Sequence, residues 1–219
     1  MIRLNINSYL VVIVIIYALL TVIDAGQCHG EDNISKKHLL KQNISPVGKT
    51  IIRYYVTSNE RSSGDIWLYS TEDRSKKEFL FSFSRDAEVL ISPDEKWLVI
   101  NHTLEIKGAE AILFKKIKDL KYQRVKLLNP MAWALLKKTH KQIPGFGHSY
   151  TEALHWSSDS KSLMIELYGY DDKSQKALEP WYCIYDLTTG KMTLDFNRVF
   201  NRNTYHPNGK AKGRKLYKY

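Results

Sequence analysis

The stretch Ile91-Ser92-Pro93-Asp94-Glu95-Lys96 decides the fold, because two other stretches of the chain resemble it. Ile44–Lys49 and Trp156–Lys161 follow the same pattern, and each of the three precedes an apolar run. Proline suits the second position of a type I turn, and serine and aspartate suit the positions around it. The residues after each turn are apolar or alternate between apolar and polar, as in a strand. We therefore predict that each copy is a tight turn between two strands of a repeated unit.

The pattern Ser-Pro-Asp-x-Lys before an apolar strand resembles the WD40-like propeller repeat of TolB-type and prolyl-oligopeptidase-type proteins. Tyr185–Lys191 is similar to the strand–turn–strand that closes many blades of such propellers. Some positions depart from the repeat: Val47 replaces its acidic residue, Ser158 replaces its proline, and two copies lack its glycine. The resemblance implies an all-β, mainly antiparallel fold made of propeller-like blades.

The spacing of the copies agrees with four-stranded blades. Ser45 and Ser92 are 47 residues apart, within the roughly 40–50 residues of such a blade. Ser92 and Ser157 are 65 residues apart, and the excess corresponds to residues 129–148, which begin with a helix signature capped by Asn129. We predict a repeat domain over 38–196 in which a helical insertion at 129–148 interrupts three divergent blades, near 38–83, 86–128 and 150–196.

Three blades are fewer than the roughly four to eight of a closed propeller. The predicted domain is therefore a partial or open propeller. An open stack of three sheets, a packing of two sheets, and a partial ring completed by another chain all fit the sequence.

The N-terminus has the features of an export signal. Arg3 precedes the apolar stretch Tyr9–Ile23, and Ala25 offers a small residue for cleavage. We predict a signal peptide over 1–25, a linker over 26–37, and a mature protein that is periplasmic or secreted. Fifteen apolar residues are short for a membrane span, which needs about twenty. An uncleaved signal that tethers the protein to the membrane is the alternative.

Positive charge is concentrated in two regions of a chain whose formal net charge is +10. Residues 114–142 carry nine Lys or Arg against one Asp, and residues 196–219 carry seven Lys or Arg and no acid. The last part, 197–219, is predicted to be a basic C-terminal tail. Such regions attract anionic glycans or lipid surfaces, and for an exported protein we expect no nucleic-acid partner. The candidate anion-binding or partner-binding residues are Lys115, Lys116, Lys118, Lys121, Arg124, Trp133, Lys137 and Lys138.

Motifs for catalysis or metal binding are incomplete. Gly147–Thr151 begins like the nucleophile elbow of serine hydrolases, but a threonine replaces the second glycine. His148 and His155 fall on opposite faces of a predicted strand, so they do not form a zinc site. Cys183 either pairs with Cys28 or, as we favour, is a buried free thiol. We predict no catalytic residues, no metal and no cofactor.

We therefore expect an exported, non-catalytic interaction or ligand-binding module with a protein partner. A cell-envelope binder of anionic polymer, using regions 114–142 and 196–219, is one alternative, and an enzyme of unrecognised type is another. The insertion is expected to cap a sheet edge or to dock a partner. Blade 3 contains aromatic residues that fit either a core or a carbohydrate or peptide groove: Tyr150, Trp156, Tyr168, Tyr170 and Trp181.

Overall fold

The computed structural model describes residues 37–57, 60–104, 108–140, 143 and 145–196. The predicted signal peptide and the basic tail lie outside these ranges, as does all of the predicted linker except Lys37, which begins the first strand. Along the described part, the elements are β1 Lys37–Ile44, β2 Thr50–Thr57, β3 Glu60–Ser70, β4 Lys77–Phe83, β5 Asp86–Ile91, β6 Trp97–Leu104, β7 Gly108–Lys118, β8 Lys121–Leu127, α1 Asn129–Thr139, β9 His148–Trp156, β10 Ser162–Asp171, β11 Lys176–Asp186 and β12 Lys191–Thr193.

The strands form three antiparallel meanders, which we call blade 1 (β1–β4), blade 2 (β5–β8) and blade 3 (β9–β12). Blade 1 is a sheet of its own, whereas blades 2 and 3 are joined where β9 runs parallel to β7 for two residue pairs. The predicted all-β fold of three propeller-like blades in an open arrangement, with one helix inserted between blades 2 and 3, is confirmed.

The three predicted turns are built alike. Ser45, Ser92 and Ser157 each accept, at the carbonyl, a hydrogen bond of 2.9 Å from the N–H three residues later. Each serine hydroxyl also accepts a hydrogen bond of 2.9–3.0 Å from the N–H five residues later. All three serines are buried. The repeat therefore persists in the hydrogen bonds of the turns as well as in their sequence.

The fourth residue of each turn is left-handed, with φ of 76° at Gly48, 53° at Glu95 and 60° at Ser160. Where that residue has a side chain, the side chain reaches back to the preceding blade. The carboxylate of Glu95 accepts a hydrogen bond from the hydroxyl of Ser45, and the hydroxyl of Ser160 accepts one of 3.0 Å from the N–H of Asp94. At Gly48, a Cβ would meet nothing within 4 Å. The two turns that lack the glycine are therefore the turns whose fourth residue bonds to the preceding turn.

The main apolar cores lie between successive blades. The β2–β3 face of blade 1 packs on β5, β6 and β7 of blade 2 through residues that include Tyr54, Ile66, Leu68, Leu98, Ile100 and Ile112. The opposite face of blade 2 packs, together with α1, on blade 3 through residues that include Val99, Leu113, Leu136, Leu163, Ile165 and Leu167. The blades are therefore stacked face to face, as burial of both faces of a central sheet requires.

The predicted cap of α1 is wrong. The helix follows Leu128, and no side chain caps its N-terminus. The amide of Asn129 instead accepts a hydrogen bond from the N–H of Ala111 at 3.0 Å and donates to the carbonyl of Ala109 at 3.1 Å. Because β8 ends at Leu127, it does not reach these β7 groups, and an amide can both donate to them and accept from them.

A second asparagine amide bonds to a strand backbone in the same way, and it joins blade 2 to blade 3. Asn101 of β6 accepts a hydrogen bond from the N–H of Ala153 and donates to the carbonyl of that residue, both at 2.8 Å. Its amide therefore replaces one residue of a neighbouring strand. At the start of β7, Gly108 comes so close to Ser149 that a Cβ would lie 1.8 Å from the Ser149 carbonyl oxygen. These contacts fix the start of blade 3 against blade 2.

Candidate functional site

The predicted basic residues are distributed over the β7–β8 hairpin and α1. Lys115 lies over the ring of Trp97, at 5.4 Å from Nζ to the ring centre. Lys116 points to the opposite face, where its Nζ is 3.9 Å from a carboxylate oxygen of Glu95. Lys118 and Lys121 are paired across the hairpin. The structure thus divides these residues between two faces and does not gather them at one site.

The remaining predicted residues lie on α1, where Lys137 and Lys138 are exposed in the last turn. Trp133 is half-buried, and its indole N–H donates to the hydroxyl of Thr151 at 3.0 Å. Its ring also lies against Phe146, with the ring centres 6.1 Å apart. In the structure, Trp133 therefore ties α1 to blade 3.

Another set of side chains lies much closer together on blade 3. In β9 and β10, the residues that point away from blade 2 alternate with the buried Thr151 and Leu167. Cross-strand pairing places them opposite one another on that outer side, which we call the tyrosine face. Its residues are His148, Tyr150 and Glu152 of β9 and Glu166, Tyr168 and Tyr170 of β10.

The aromatic rings of the tyrosine face form a column. Tyr168 and Tyr150 are stacked with centres 4.5 Å apart and planes 2° apart, and His148 and Tyr170 are stacked at 4.4 Å and 9°. Tyr150 and Tyr170 connect the two pairs at 6.1 Å and 18°. Stacked cross-strand aromatics stabilise a sheet and fix its register. The column thus presents phenol hydroxyls in a row.

Polar contacts fix both ends of this column. At one end, the hydroxyl of Tyr168 donates to Glu152 at 2.8 Å. At the other, Nε2 of His148 lies 3.0 Å from a carboxylate oxygen of Asp172. The hydrogen bond with Tyr170, followed by burial, raises the pKa of Tyr150 to about 12. The phenol of Tyr150 therefore remains protonated at neutral pH and acts as a hydrogen-bonding group.

The tyrosine face is electrostatically negative around Glu152. Burial raises the pKa of its carboxyl, the hydrogen bond from Tyr168 opposes the rise, and the negative charges of Glu166 and Glu88 add to it. Three carboxylates therefore act on one another here, and a cation close to Glu152 would be stabilised.

We expect Glu152→Gln to stabilise the protein more at about pH 7 than at about pH 4. Because the folded state raises the pKa of Glu152, it binds the proton more tightly than the unfolded chain, and stability is lost as pH rises through the raised value. Glutamine avoids this loss and still accepts the bond from Tyr168. Urea unfolding at both values measures the effect, with the exposed Glu72→Gln as control. An equal change at the two pH values would contradict this account.

Next to the column, the same side of blade 3 has an apolar part. Met164 and Ile184 are buried there beneath Leu154, Tyr182 and Phe196. Phe196 is the last residue that the structure describes. Among the described residues, this small cluster and the column occupy the side of blade 3 that faces away from blade 2.

The sequence identified part of this site. Tyr150, Tyr168 and Tyr170 are among the aromatics noted in blade 3, and the structure brings them together. Trp156 and Trp181 lie instead at the core between blades 2 and 3. Nothing local indicates the role of His148, because its stacking depends on the β9–β10 register.

Other chemistry is not assembled in the described part of the chain. No group of three His, Cys, Asp or Glu there is arranged to hold a metal ion. Cys183 is a free thiol within the core, where burial raises its pKa to about 12. No helix among the described residues has the length and apolar composition needed to cross a bilayer.

No protein-family model matches this chain, and a search of curated proteins finds no significant relative. Solved structures similar to it include the β-propeller domain of the trilobed protease from Pyrococcus furiosus, with 16% identity, a TM-score of 0.40, and coverage of 73% of this chain and 42% of that one. TolB from Acinetobacter baumannii has 14% identity, a TM-score of 0.36, and coverage of 72% and 43%. The periplasmic gluconolactonase of Pseudomonas aeruginosa has 14% identity, a TM-score of 0.36, and coverage of 74% and 54%.

The chain thus spans about half the length of these proteins or less.

Proposed function

We propose that this chain is an exported, non-catalytic protein-interaction module on a WD40-like propeller scaffold, and that the tyrosine face receives its protein partner. The observation that carries the proposal is the half-exposed column of four rings on the outer side of blade 3. Tyrosine combines a large apolar surface with a polar tip, and such residues dominate the binding energy of protein interfaces. The fixed rings also lose little conformational entropy on binding.

Tyr170→Ala is expected to weaken capture of the partner about tenfold or more, because Tyr170 is the most exposed ring of the column at 39%. The full chain and the variant serve as baits for proteins of the compartment to which the chain is exported. Phe79→Ala is the matched control, since Phe79 is 45% exposed but lies on blade 1. Loss of the same protein from both variants, or from neither, would contradict the proposal.

A second candidate function, binding of an anionic glycan or lipid surface, is favoured by the β7–β8 hairpin. Lys118 and Lys121 are exposed directly opposite each other, an arrangement that destabilises a sheet unless an anion offsets the repulsion. Arg124 is exposed on the same strand as Lys121. Binding to heparin or to anionic vesicles that is lost between low and moderate salt, and that falls in Lys118→Gln/Lys121→Gln, would support this function. Salt-insensitive binding would exclude it.

A further inference from the structure

The last described segment leads directly onto the tyrosine-face side of blade 3. Phe196 packs with Met164 and Ile184, in the cluster that also contains Leu154 and Tyr182. Its backbone N–H donates to the carbonyl of Leu194 at 3.0 Å, which turns the chain at this point. Residues 197–219 therefore follow a residue that packs on the outer side of blade 3.

The composition of residues 197–219 complements that surface. They contain seven Lys or Arg and no Asp or Glu, together with Phe200, Tyr205, Tyr217 and Tyr219. The tyrosine face and its rim contain the carboxylates of Glu152, Glu166 and Asp172. Arg85 contributes one positive charge that acts on Tyr150. Lysine and arginine are attracted to carboxylates and to the faces of tyrosine rings.

The tail is also long enough to cross the tyrosine face. Its 23 residues reach up to roughly 75 Å when extended. The strand from Met164 to Tyr170, along which the column and the apolar cluster lie, measures only about 20 Å. The tail can therefore cross the whole face with its charges near the carboxylates.

We propose that the basic tail, residues 197–219, folds back across the tyrosine face of its own molecule and occupies it until a partner displaces it. The occupation itself is a property of this chain. That this covering regulates binding rests on the proposed function. A tail of opposite charge can block the tyrosine face only if that face receives a partner.

Nitration of tyrosines with tetranitromethane tests this occupation in the full chain. The comparison protein has all seven basic tail residues changed to glutamine: Arg198, Arg202, Lys210, Lys212, Arg214, Lys215 and Lys218. We expect Tyr170 to be nitrated several-fold faster in that variant, and faster in the unchanged protein at about 1 M salt, where screening acts within about 3 Å. N-acetyltyrosinamide added to each reaction is the control for the reagent, and its rate should be the same with both proteins. Equal Tyr170 rates in the two proteins would overturn the inference.

Carbodiimide coupling of lysines to carboxylates locates the tail. In the unchanged chain we expect links from tail lysines to Glu152, Glu166 or Asp172 within one molecule, shown by mixing isotopically labelled and unlabelled protein. Glu72, exposed on blade 1, is the control carboxylate. Links spread equally to Glu72 would overturn the inference, and so would links formed only between molecules, because a second copy would then be the occupant.

The results separate this inference from the proposed function. Unchanged nitration together with loss of the partner in Tyr170→Ala would remove the covering tail and leave the proposed function intact. Protection by the tail together with full capture by Tyr170→Ala would confirm the covering and remove the proposed function.

Discussion

Replacing Glu95 by alanine is expected to lower the free energy of unfolding by about 2–3 kcal/mol. Residue Glu95 is 3% exposed, and its carboxylate accepts hydrogen bonds from the hydroxyls of Ser45 and Thr50, both in blade 1. It also lies 3.9 Å from the amine of Lys116. Alanine leaves these buried donors without an acceptor and breaks the polar connection between blades 1 and 2.

Two further variants separate the effect of losing the Glu95 side-chain contacts from the effect of backbone strain on stability. Glu95 has φ of 53°, so Glu95→Gly should be less destabilising than Glu95→Ala by about 1 kcal/mol. Asp119 is also acidic and left-handed, with φ of 45°, but it is exposed in the β7–β8 turn. Asp119→Ala should therefore change stability by only about 0.5 kcal/mol. Chemical denaturation measures all three, and equal losses for Glu95→Ala and Asp119→Ala would contradict the account.

Gly108→Ala is expected to cost about 3 kcal/mol and to loosen blade 3 from blade 2. Gly108 has φ of 147°, and an added Cβ would lie 1.8 Å from the Ser149 carbonyl oxygen and 2.8 Å from its carbon. Because both obstacles are backbone atoms, β7 and β9 must separate to accommodate the methyl group. This is the place where the two strands pair in parallel.

Gly145→Ala is the matched control for that substitution. An added Cβ at Gly145 meets nothing within 4 Å, so we expect almost no change in the denaturation midpoint. In Gly108→Ala, hydrogen exchange should accelerate in β9 and β10 more than in β2 and β3 of blade 1. Uniform acceleration, or a stability equal to that of Gly145→Ala, would show that this contact does not fix the blades.

The turns and strands could be predicted because their signals are local. Serine and proline set the turn at Ser92 within six residues, and the alternation of the following strands requires no knowledge of their partners. The excess spacing before Ser157 likewise revealed the position of the helix. Hydrogen bonds and apolar runs close in sequence therefore specify the blades.

Contacts between distant residues were not predictable in this way. Glu95 looked like a departure from the turn pattern, but its carboxylate bonds to Ser45, 50 residues earlier. Asparagine is a common helix cap, yet the Asn129 amide bonds instead to backbone groups of β7 that β8 does not reach. Both outcomes depend on which backbone groups the assembled sheets leave without partners.

The sequence predicted which aromatic residues blade 3 contains, but not how they are arranged. Alternation places Tyr150 on one face of β9 and Tyr168 on one face of β10, but stacking also requires the register that pairs them. Charge alone directed attention to the β7–β8 hairpin, where Lys115 and Lys116 prove to point to different faces. Whether the basic residues bind an anion or a partner stays a prediction.

Hydrogen exchange with and without the captured partner tests the central claim most directly. We expect protection of the tyrosine-face strands β9 and β10 in the complex, with blade 1 unchanged and with no protection when Tyr170→Ala is mixed with the partner. Protection confined to the β7–β8 hairpin, with β9 and β10 exchanging as in the free protein, would contradict it.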